Sequence, residues 1–126
     1  MRRVIVLGGS GFLGRLIVER LGAAGLQPIA ASRSWGEMRI DANNPEEIRA
    51  NLKQRDIVVD AAGPFQKRTP ALIDAPRTIG FDVVDISDSP EYPAMVYERE
   101  APITAAGIRV LTSCSALSAV GAIVMK

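Results

Sequence analysis

The residues best suited to chemistry are glycines near the start of the chain. An apolar run, Val4–Leu7, leads directly into Gly8-Gly9-Ser10-Gly11-Phe12-Leu13-Gly14, which satisfies both a GxGxxG spacing and a GxxGxxG spacing. In a turn from strand to helix, the first glycine permits the sharp bend, the second lets a pyrophosphate approach the backbone, and the third allows close packing. The N–H groups at the start of the helix attract phosphate. We therefore predict that this segment contacts a dinucleotide, the alternative being a purely structural glycine turn.

The residues after the second predicted strand favour one nucleotide over the other. A cofactor with a free 2′-hydroxyl is usually held by an acidic residue about 20 residues beyond the glycines. Ser32-Arg33-Ser34 stands at that place instead. An arginine pairs with a 2′-phosphate, and serine hydroxyls hydrogen-bond to it. The sequence therefore predicts NADP(H) rather than NAD(H), unless Arg33 is only a solvated loop residue.

Three further residues are candidates for the nucleotide site. Ser10 follows the first glycines and is a second candidate for the ribose-phosphate region. Asp41, at the end of the third predicted strand, could bond the adenine amino group or act as an ordinary turn residue. Trp35 could cover the adenine face or fold back on its own domain.

The composition excludes several classes of protein. With 126 residues, of which 48% are hydrophobic, the chain forms one domain with a real core. The net charge is +1 and there is no long basic run, which argues against a nucleic-acid partner. The single cysteine excludes an internal disulfide and fits a reducing, cytoplasmic compartment. Because the chain also has no histidine, a zinc site is unexpected. No apolar run approaches about 20 residues, so we expect no membrane span.

The sequence identifies no catalytic residue. No Tyr-x-x-x-Lys pattern begins at Tyr92 or Tyr97, so the acid/base pair of short-chain dehydrogenases is missing. No Gly-Lys-Ser/Thr follows the glycines, which excludes a P-loop nucleotidase. Asp85 and Asp88 could form a carboxylate pair, but such residues more often cap a helix and solvate a loop. Cys114 lacks a histidine to activate it, so burial as a small apolar residue is the better interpretation.

Strands alternate with helices along the chain. The predicted strands are Val4–Leu7, Pro28–Ala31, Met38–Asp41, Ile57–Val59, Phe81–Ile86 and Ile108–Leu111. Helices are predicted from Phe12, with Leu13, Leu16, Ile17 and Leu21 as the buried face, and after Asn44-Pro45, Thr69-Pro70 and Ser89-Pro90, with Pro102 interrupting the last. This alternation predicts an α/β fold, a doubly wound parallel sheet of the Rossmann type with strand order 3-2-1-4-5-6.

Three motifs in order give the chain a family resemblance. The glycine start, Ala62-Gly63-Pro64-Phe65-Gln66 after a buried strand, and Val84-Asp85-Ile86-Ser87-Asp88 after the next resemble the N-terminal NAD(P)-binding domain of the saccharopine dehydrogenase family. The resemblance covers about residues 3–115. It implies that the loop Ala62–Phe65 lies near the nicotinamide half of the cofactor, with Gly63, Pro64 and Phe65 as contacts. The alternative is a rigid turn without a ligand.

The resemblance also implies a division of labour. Residues 1–115 would be the cofactor-binding domain, and residues 116–126 would begin the connection to a second domain that binds a small-molecule substrate. The expected function is to hold NADP(H) for hydride transfer, so this chain alone would not be catalytically complete. The apolar tail could instead be buried against a second copy of the chain in a homodimer. An NADP(H) sensor without turnover is the alternative function. An S-adenosylmethionine-binding domain is disfavoured, because an acidic residue after the second strand is absent.

Overall fold

The computed structural model describes residues 2–34 and 36–114. The strands are β1 (Val4–Leu7), β2 (Ile29–Ser32), β3 (Met38–Arg39), β4 (Ile57–Asp60), β5 (Asp82–Asp85) and β6 (Val110–Leu111). The helices are α1 (Phe12–Ala23), α2 (Pro45–Asn51), α3 (Ala71–Asp74), α4 (Pro76–Ile79), α5 (Glu91–Glu98) and α6 (Glu100–Ala105), with a short 3₁₀ helix at Phe65–Lys67. Trp35 and residues 115–126, including the predicted connection, lie outside the described residues.

The six strands form one parallel sheet in the order β3-β2-β1-β4-β5-β6. This confirms the predicted Rossmann-type α/β fold. The register pairs Leu7 with Asp60 and Asp60 with Asp85, so β1, β4 and β5 end at the same level. Ligands of such sheets bind beyond the carboxyl ends of the strands, where the order reverses between β1 and β4. The site described below is built at this edge.

The main core lies on one face of the sheet. Ile5, Leu7, Val58 and Val83 are buried there against side chains of the helices that connect the later strands. They include Ile48 of α2, Leu52 directly after it, and Leu72 of α3. The crossovers from β3 to β4 and from β4 to β5 run in the same direction across the sheet. Right-handed connections therefore place their helices on one side.

The opposite face is covered at one end. The connection from β1 to β2 runs in the reverse direction, so α1 lies on this second face. Val6, Val59, Val84 and Leu111 are neighbours in one row across it. Val6 is fully buried, Val59 and Val84 are half-buried, and Leu111 is 56% exposed. Among the described residues, cover on this face thus decreases from β1 to β6.

The predicted helix starts and stops match the structure in most places. Asn44 caps α2, its Oδ1 accepting from the N–H groups of Glu46 and Glu47 at 3.0 and 3.3 Å. Pro45 occupies the first helical position, where its missing N–H costs nothing. The segment after Thr69 divides into two short helices at Pro76 and ends at Gly80, whose φ is +91°. Cap residues and prolines therefore specify these boundaries locally.

One local prediction is confirmed with a shift in position, and another is wrong. Pro102 interrupts the last helix as expected, but the break lies at Arg99, because a proline ring clashes with the carbonyl group four residues earlier, here that of Glu98. α5 therefore ends at Glu98, and Pro102 lies in the first turn of α6. Leu13 and Leu16, predicted on the buried face of α1, are 54% and 42% exposed. The helical period is correct, but within the described residues no neighbouring element covers that face of α1.

Replacing each of two glycines of α1 by alanine should test whether Gly14 is required for packing, because Gly22 in the same helix has open space around it. A Cβ on Gly14 would collide with the carbonyl oxygen of Gly8 and lie 2.9 Å from the Cα of Gly9. Gly14→Ala should therefore lower the free energy of unfolding by about 1–3 kcal/mol in urea denaturation. The control is Gly22→Ala, which meets nothing within 4 Å and should raise it by about 0.5–1 kcal/mol. Equal effects of the two changes would contradict the packing role.

Candidate functional site

In the glycine turn after β1, contacts within the protein explain every glycine except one. Gly8 has φ +75°, and a Cβ there would lie 2.6 Å from the carbonyl oxygen of Ala61. Gly9 packs against Ala30, and Gly14 packs against Gly8. At Gly11, however, the nearest atom to a Cβ is the Gly8 carbonyl oxygen at 3.4 Å, an ordinary contact distance. Packing within the protein therefore does not explain why residue 11 lacks a side chain.

Gly11 is also the N-cap residue of α1. It is the residue that precedes the first helical turn, it supplies no side-chain cap, and that turn contains no acidic residue. The first N–H groups of a helix have no partner within the helix, and the helix dipole makes this end attractive to anions. The turn thus presents backbone donors and an unobstructed surface together.

A cleft of about 290 Å³ opens at the same place. Segments that follow β1, β2, β3 and β4 form its walls. The lining residues are Gly8, Ser10, Gly11, Ser32, Arg33, Ser34, Ile40, Ala61, Ala62 and Gly63. The structure therefore brings the glycine turn, the Ser32-Arg33-Ser34 segment and the start of the 62–65 loop around one space, as the sequence predicts.

A second cavity of about 220 Å³ shares Ser10 with this cleft. It is lined by Gly9, Ser10, Arg15, Ala30, Ala31 and Gly36. Arg15 is exposed here, and it is not among the site residues predicted from the sequence. Its place one residue after the last glycine of the motif was the available signal.

Several predicted site residues do not line the cleft. Phe12 is 81% exposed in α1, and Leu13 and Gly14 also belong to that helix. Asp41 forms a local turn, its Oδ1 accepting from the N–H of Asn43 at 2.9 Å, which fits the alternative of an ordinary turn residue. Pro64 is exposed after a cis Gly63–Pro64 peptide bond. These five residues follow the strands whose loops build the cleft, but they do not form its walls.

Phe65 serves the core. It is 6% exposed and packs edge-to-face on Tyr92, with ring centroids 5.1 Å apart. Tyr92 is itself 1% exposed and belongs to the second cluster of buried residues, with Val96 and Ile103. The ring of Phe65 therefore anchors the end of the 62–65 loop and does not face the cleft.

Beneath the cleft lies a buried ion pair that was not predicted from the sequence. Arg68 Nη1 and Nη2 donate to Asp60 Oδ1 and Oδ2 at 2.9 and 2.8 Å, and Nη1 also donates to the Ala62 carbonyl oxygen at 2.8 Å. The side chains of Asp60 and Arg68 are 0% and 5% exposed. Bidentate pairing of this kind fixes both partners in one geometry.

The protonation of this cluster follows from its burial. Burial raises the pKa of the Asp60 carboxyl, and the Arg68 guanidinium opposes part of that rise. Burial alone would lower the pKa of Arg68, but Asp60 raises it, so the guanidinium stays charged. Burial and Asp60 also raise the pKa of Tyr92, whose hydroxyl lies 3.4 Å from Asp60 Oδ2. Tyr92 is therefore a hydrogen-bond donor and not a base.

Asp85, at the end of β5, organises a second loop. Its Oδ1 accepts from Ser87 N at 3.0 Å, Thr112 Oγ1 at 3.0 Å and Ser113 N at 2.9 Å. Its carbonyl oxygen accepts from Cys114 N at 2.9 Å. Asp88 is exposed, so the interpretation of Asp85 as a loop-holding residue fits better than a catalytic carboxylate pair.

Cys114 is a poor nucleophile. It is exposed rather than buried, contrary to the sequence interpretation. Partial burial of its thiol and the Asp85 carboxylate raise its pKa. The thiolate is the reactive form of cysteine, so a raised pKa disfavours attack.

The charge of the cleft favours an anion. Arg33 is the charged residue of its lining, and the lining contains no carboxylate. Within residues 2–34 and 36–114, no group of three or more histidine, cysteine or acidic residues is placed to hold a metal ion. In the same ranges, no helix has the length and apolar character needed to cross a membrane.

Comparison by sequence gives distant relatives. No protein-family model matches the chain. The chain is 25% identical over 133 aligned residues to a Mycobacterium tuberculosis protein named "Putative trans-acting enoyl reductase", found in two strains. The match covers 88% of this chain and 31% of that protein, so this chain spans less than a third of the length of these relatives.

Comparison by structure gives nearer matches in fold. UDP-N-acetylglucosamine 4-epimerase from Bacillus cereus aligns with a TM-score of 0.66 and 21% identity, over 89% of this chain and 59% of that one. UDP-glucose 4-epimerase from Thermus thermophilus, solved in complex with NAD, aligns with a TM-score of 0.60 and 18% identity, over 87% and 53%. These similarities show that the chain has a Rossmann-type fold.

Removal of the Asp85 carboxylate should test its role in holding the loops. Asp85→Ala leaves three donors without their acceptor in a buried place, so the free energy of unfolding should fall by about 2–4 kcal/mol in urea denaturation. Asp88→Ala, three residues along and exposed, should change it by no more than about 0.5 kcal/mol. A similar small effect of both changes would contradict the structural role of Asp85.

Proposed function

We propose that this chain is the NADP(H)-binding domain of an oxidoreductase. The observation that carries the proposal is the open position of Gly11, since this is the glycine of the turn that packing does not explain. A pyrophosphate seated there would meet the N–H groups and the positive end of the α1 dipole. Ser10, Gly8 and the side of the cleft formed by residues 32–34 would surround the ribose of the adenosine half.

Arg33 is the basis for the proposed preference for NADP(H). It lines the cleft between Ser32 and Ser34, with no carboxylate in the lining to repel a 2′-phosphate. A hydrogen bond to a charged group contributes about 1.5–3 kcal/mol, so Arg33 alone could give about tenfold discrimination or more. In this arrangement the serine hydroxyls add further donors.

The proposed parent enzyme resembles the saccharopine dehydrogenase family in three motifs, and the mycobacterial relative carries a reductase name. Residues 1–115 would bind and orient the cofactor, and residues from 116 onward would begin the connection to a domain that binds a small-molecule substrate. Hydride transfer would then occur at the nicotinamide ring, with the chemistry supplied by the cofactor. Ala62, Gly63 and Pro64 would lie beside the nicotinamide half.

A second candidate function is an NADP(H)-binding module without turnover. The observation that favours it is the chemistry of the cleft, where Arg33 is the lone titratable side chain among the residues that line it. Arginine does not deprotonate at physiological pH and so cannot act as a general acid or base. Full-length protein that binds NADP(H) but oxidises or reduces nothing would support this alternative.

The first experiment is a calorimetric titration with NADP⁺ and with NAD⁺. We expect NADP⁺ to bind more tightly, and Arg33→Ala to weaken NADP⁺ by about tenfold while changing NAD⁺ by less than about twofold. Arg49→Ala, on the exposed side of α2, is the matched control and should change neither affinity. Equal losses for both nucleotides in Arg33→Ala would contradict a 2′-phosphate contact, and absence of binding by either nucleotide would overturn the proposed function.

A methyl group at residue 11 should test the pyrophosphate site without harming the fold. Gly11→Ala places its Cβ 3.4 Å from the nearest atom, so the free energy of unfolding should change by less than about 1 kcal/mol. The affinity for both NADP⁺ and NAD⁺ should nevertheless fall by about tenfold or more, because the pyrophosphate is common to them. Unchanged affinity in calorimetry would show that no ligand approaches the backbone at this residue.

A further inference from the structure

One wall of the cleft is held by a side chain that does not reach the cleft. Ala61, Ala62 and Gly63 line the space, whereas Arg68 has only 5% of its side chain exposed. Its guanidinium bonds both oxygens of Asp60, the last residue of β4, and the carbonyl oxygen of Ala62. Arg68 therefore ties the start of the wall to the end of a buried strand.

The far end of the same loop is also anchored on Arg68. The guanidinium carbon lies 5.4 Å from the centroid of the Phe65 ring and 5.2 Å from that of Tyr92. Cations placed over aromatic rings in this way are attracted to them, more strongly when desolvated. The loop thus leaves Asp60, passes along the cleft, and returns to Phe65 beside the guanidinium from which it started.

Ala61 and Ala62 also pack against Gly8 and the main core, but Gly63 and Pro64, between the two anchors, have little packing of their own. Gly63 and Pro64 are exposed, and the nearest atom to a Cβ on Gly63 is 4.0 Å away. The shape of this part of the wall must therefore come from its ends. Arginine presents a planar fork that matches a carboxylate and a carbonyl group at once, which a lysine ammonium does not.

We infer that Arg68 is a positioning residue: it sets the shape of residues 61–64 and, through them, the affinity for the part of the dinucleotide beyond its adenosine end. Arg68 does not touch the ligand. The inference rests on the proposed function, because it assigns this wall to the cofactor that the cleft is proposed to bind.

The first arm of the test needs no ligand. Arg68→Lys keeps the charge but loses the two-point pairing, so hydrogen–deuterium exchange of the amides in residues 61–67 should accelerate by about tenfold or more. Arg77→Lys alters an exposed ion pair with Asp74 and should leave this exchange unchanged. Unchanged exchange at residues 61–67 in Arg68→Lys would overturn the inference, whatever the nucleotide does.

The second arm compares two ligands by calorimetry. Arg68→Lys should weaken NADP⁺ by about tenfold and adenosine 2′,5′-bisphosphate, which lacks the nicotinamide half, by less than about twofold. Tyr92→Phe removes a hydroxyl from Asp60 but keeps the ion pair, so it should give a smaller loss of the same kind even if Arg68→Lys does not fold. Equal losses for both ligands, or no loss of NADP⁺, would overturn the inference. If the unmodified protein bound neither ligand, the proposed function would fail, and the exchange arm would still decide whether Arg68 holds the loop.

Discussion

The contact between Gly14 and the carbonyl group of Gly8 is the constraint on which the first half of the domain depends. It lets α1 begin directly above the end of β1, and it leaves no room for a Cβ. The turn must then bend with positive φ at Gly8, which brings its backbone against Ala61 after β4. Most of the glycine motif is therefore required by the fold itself, with or without a ligand. Gly11 is the member of the motif that packing within the protein does not require.

Two buried acidic residues hold loops at the carboxyl edge of the sheet, in addition to the apolar packing of Phe65. Asp60 and Asp85 end adjacent strands in register and are both buried. Their partners differ, since Asp60 pairs with the Arg68 guanidinium whereas Asp85 accepts hydrogen bonds from neutral donors. Buried carboxylates are costly unless such partners are present. Each one therefore fixes the loop that supplies its partners, and of these loops the one after Asp60 lines the cleft.

Features of the fold that depend on residues close together in the sequence could be predicted from local patterns. The strand order followed from the alternation together with the glycine motif, and α2 followed from Asn44 and Pro45. The pair Asp60–Arg68 escaped because seven residues, a loop and a short 3₁₀ helix, separate its members, and no period relates them. The one available signal was an acidic residue directly after Val58-Val59 in a buried strand. The exposure of Leu13 and Leu16 escaped for a related reason, since a helical period identifies a face but not the element that covers it.

The uneven cover of the second face has a consequence for the motions of the domain. Val6, Val59, Val84 and Leu111 form one row in which burial declines from β1 to β6. A strand that is buried on both faces opens at a higher free-energy cost than a strand with an exposed face. Among the described residues, β1 is therefore expected to open less readily than β6. The cleft lies beside β1, so opening at the far edge of the sheet would leave the glycine turn in place.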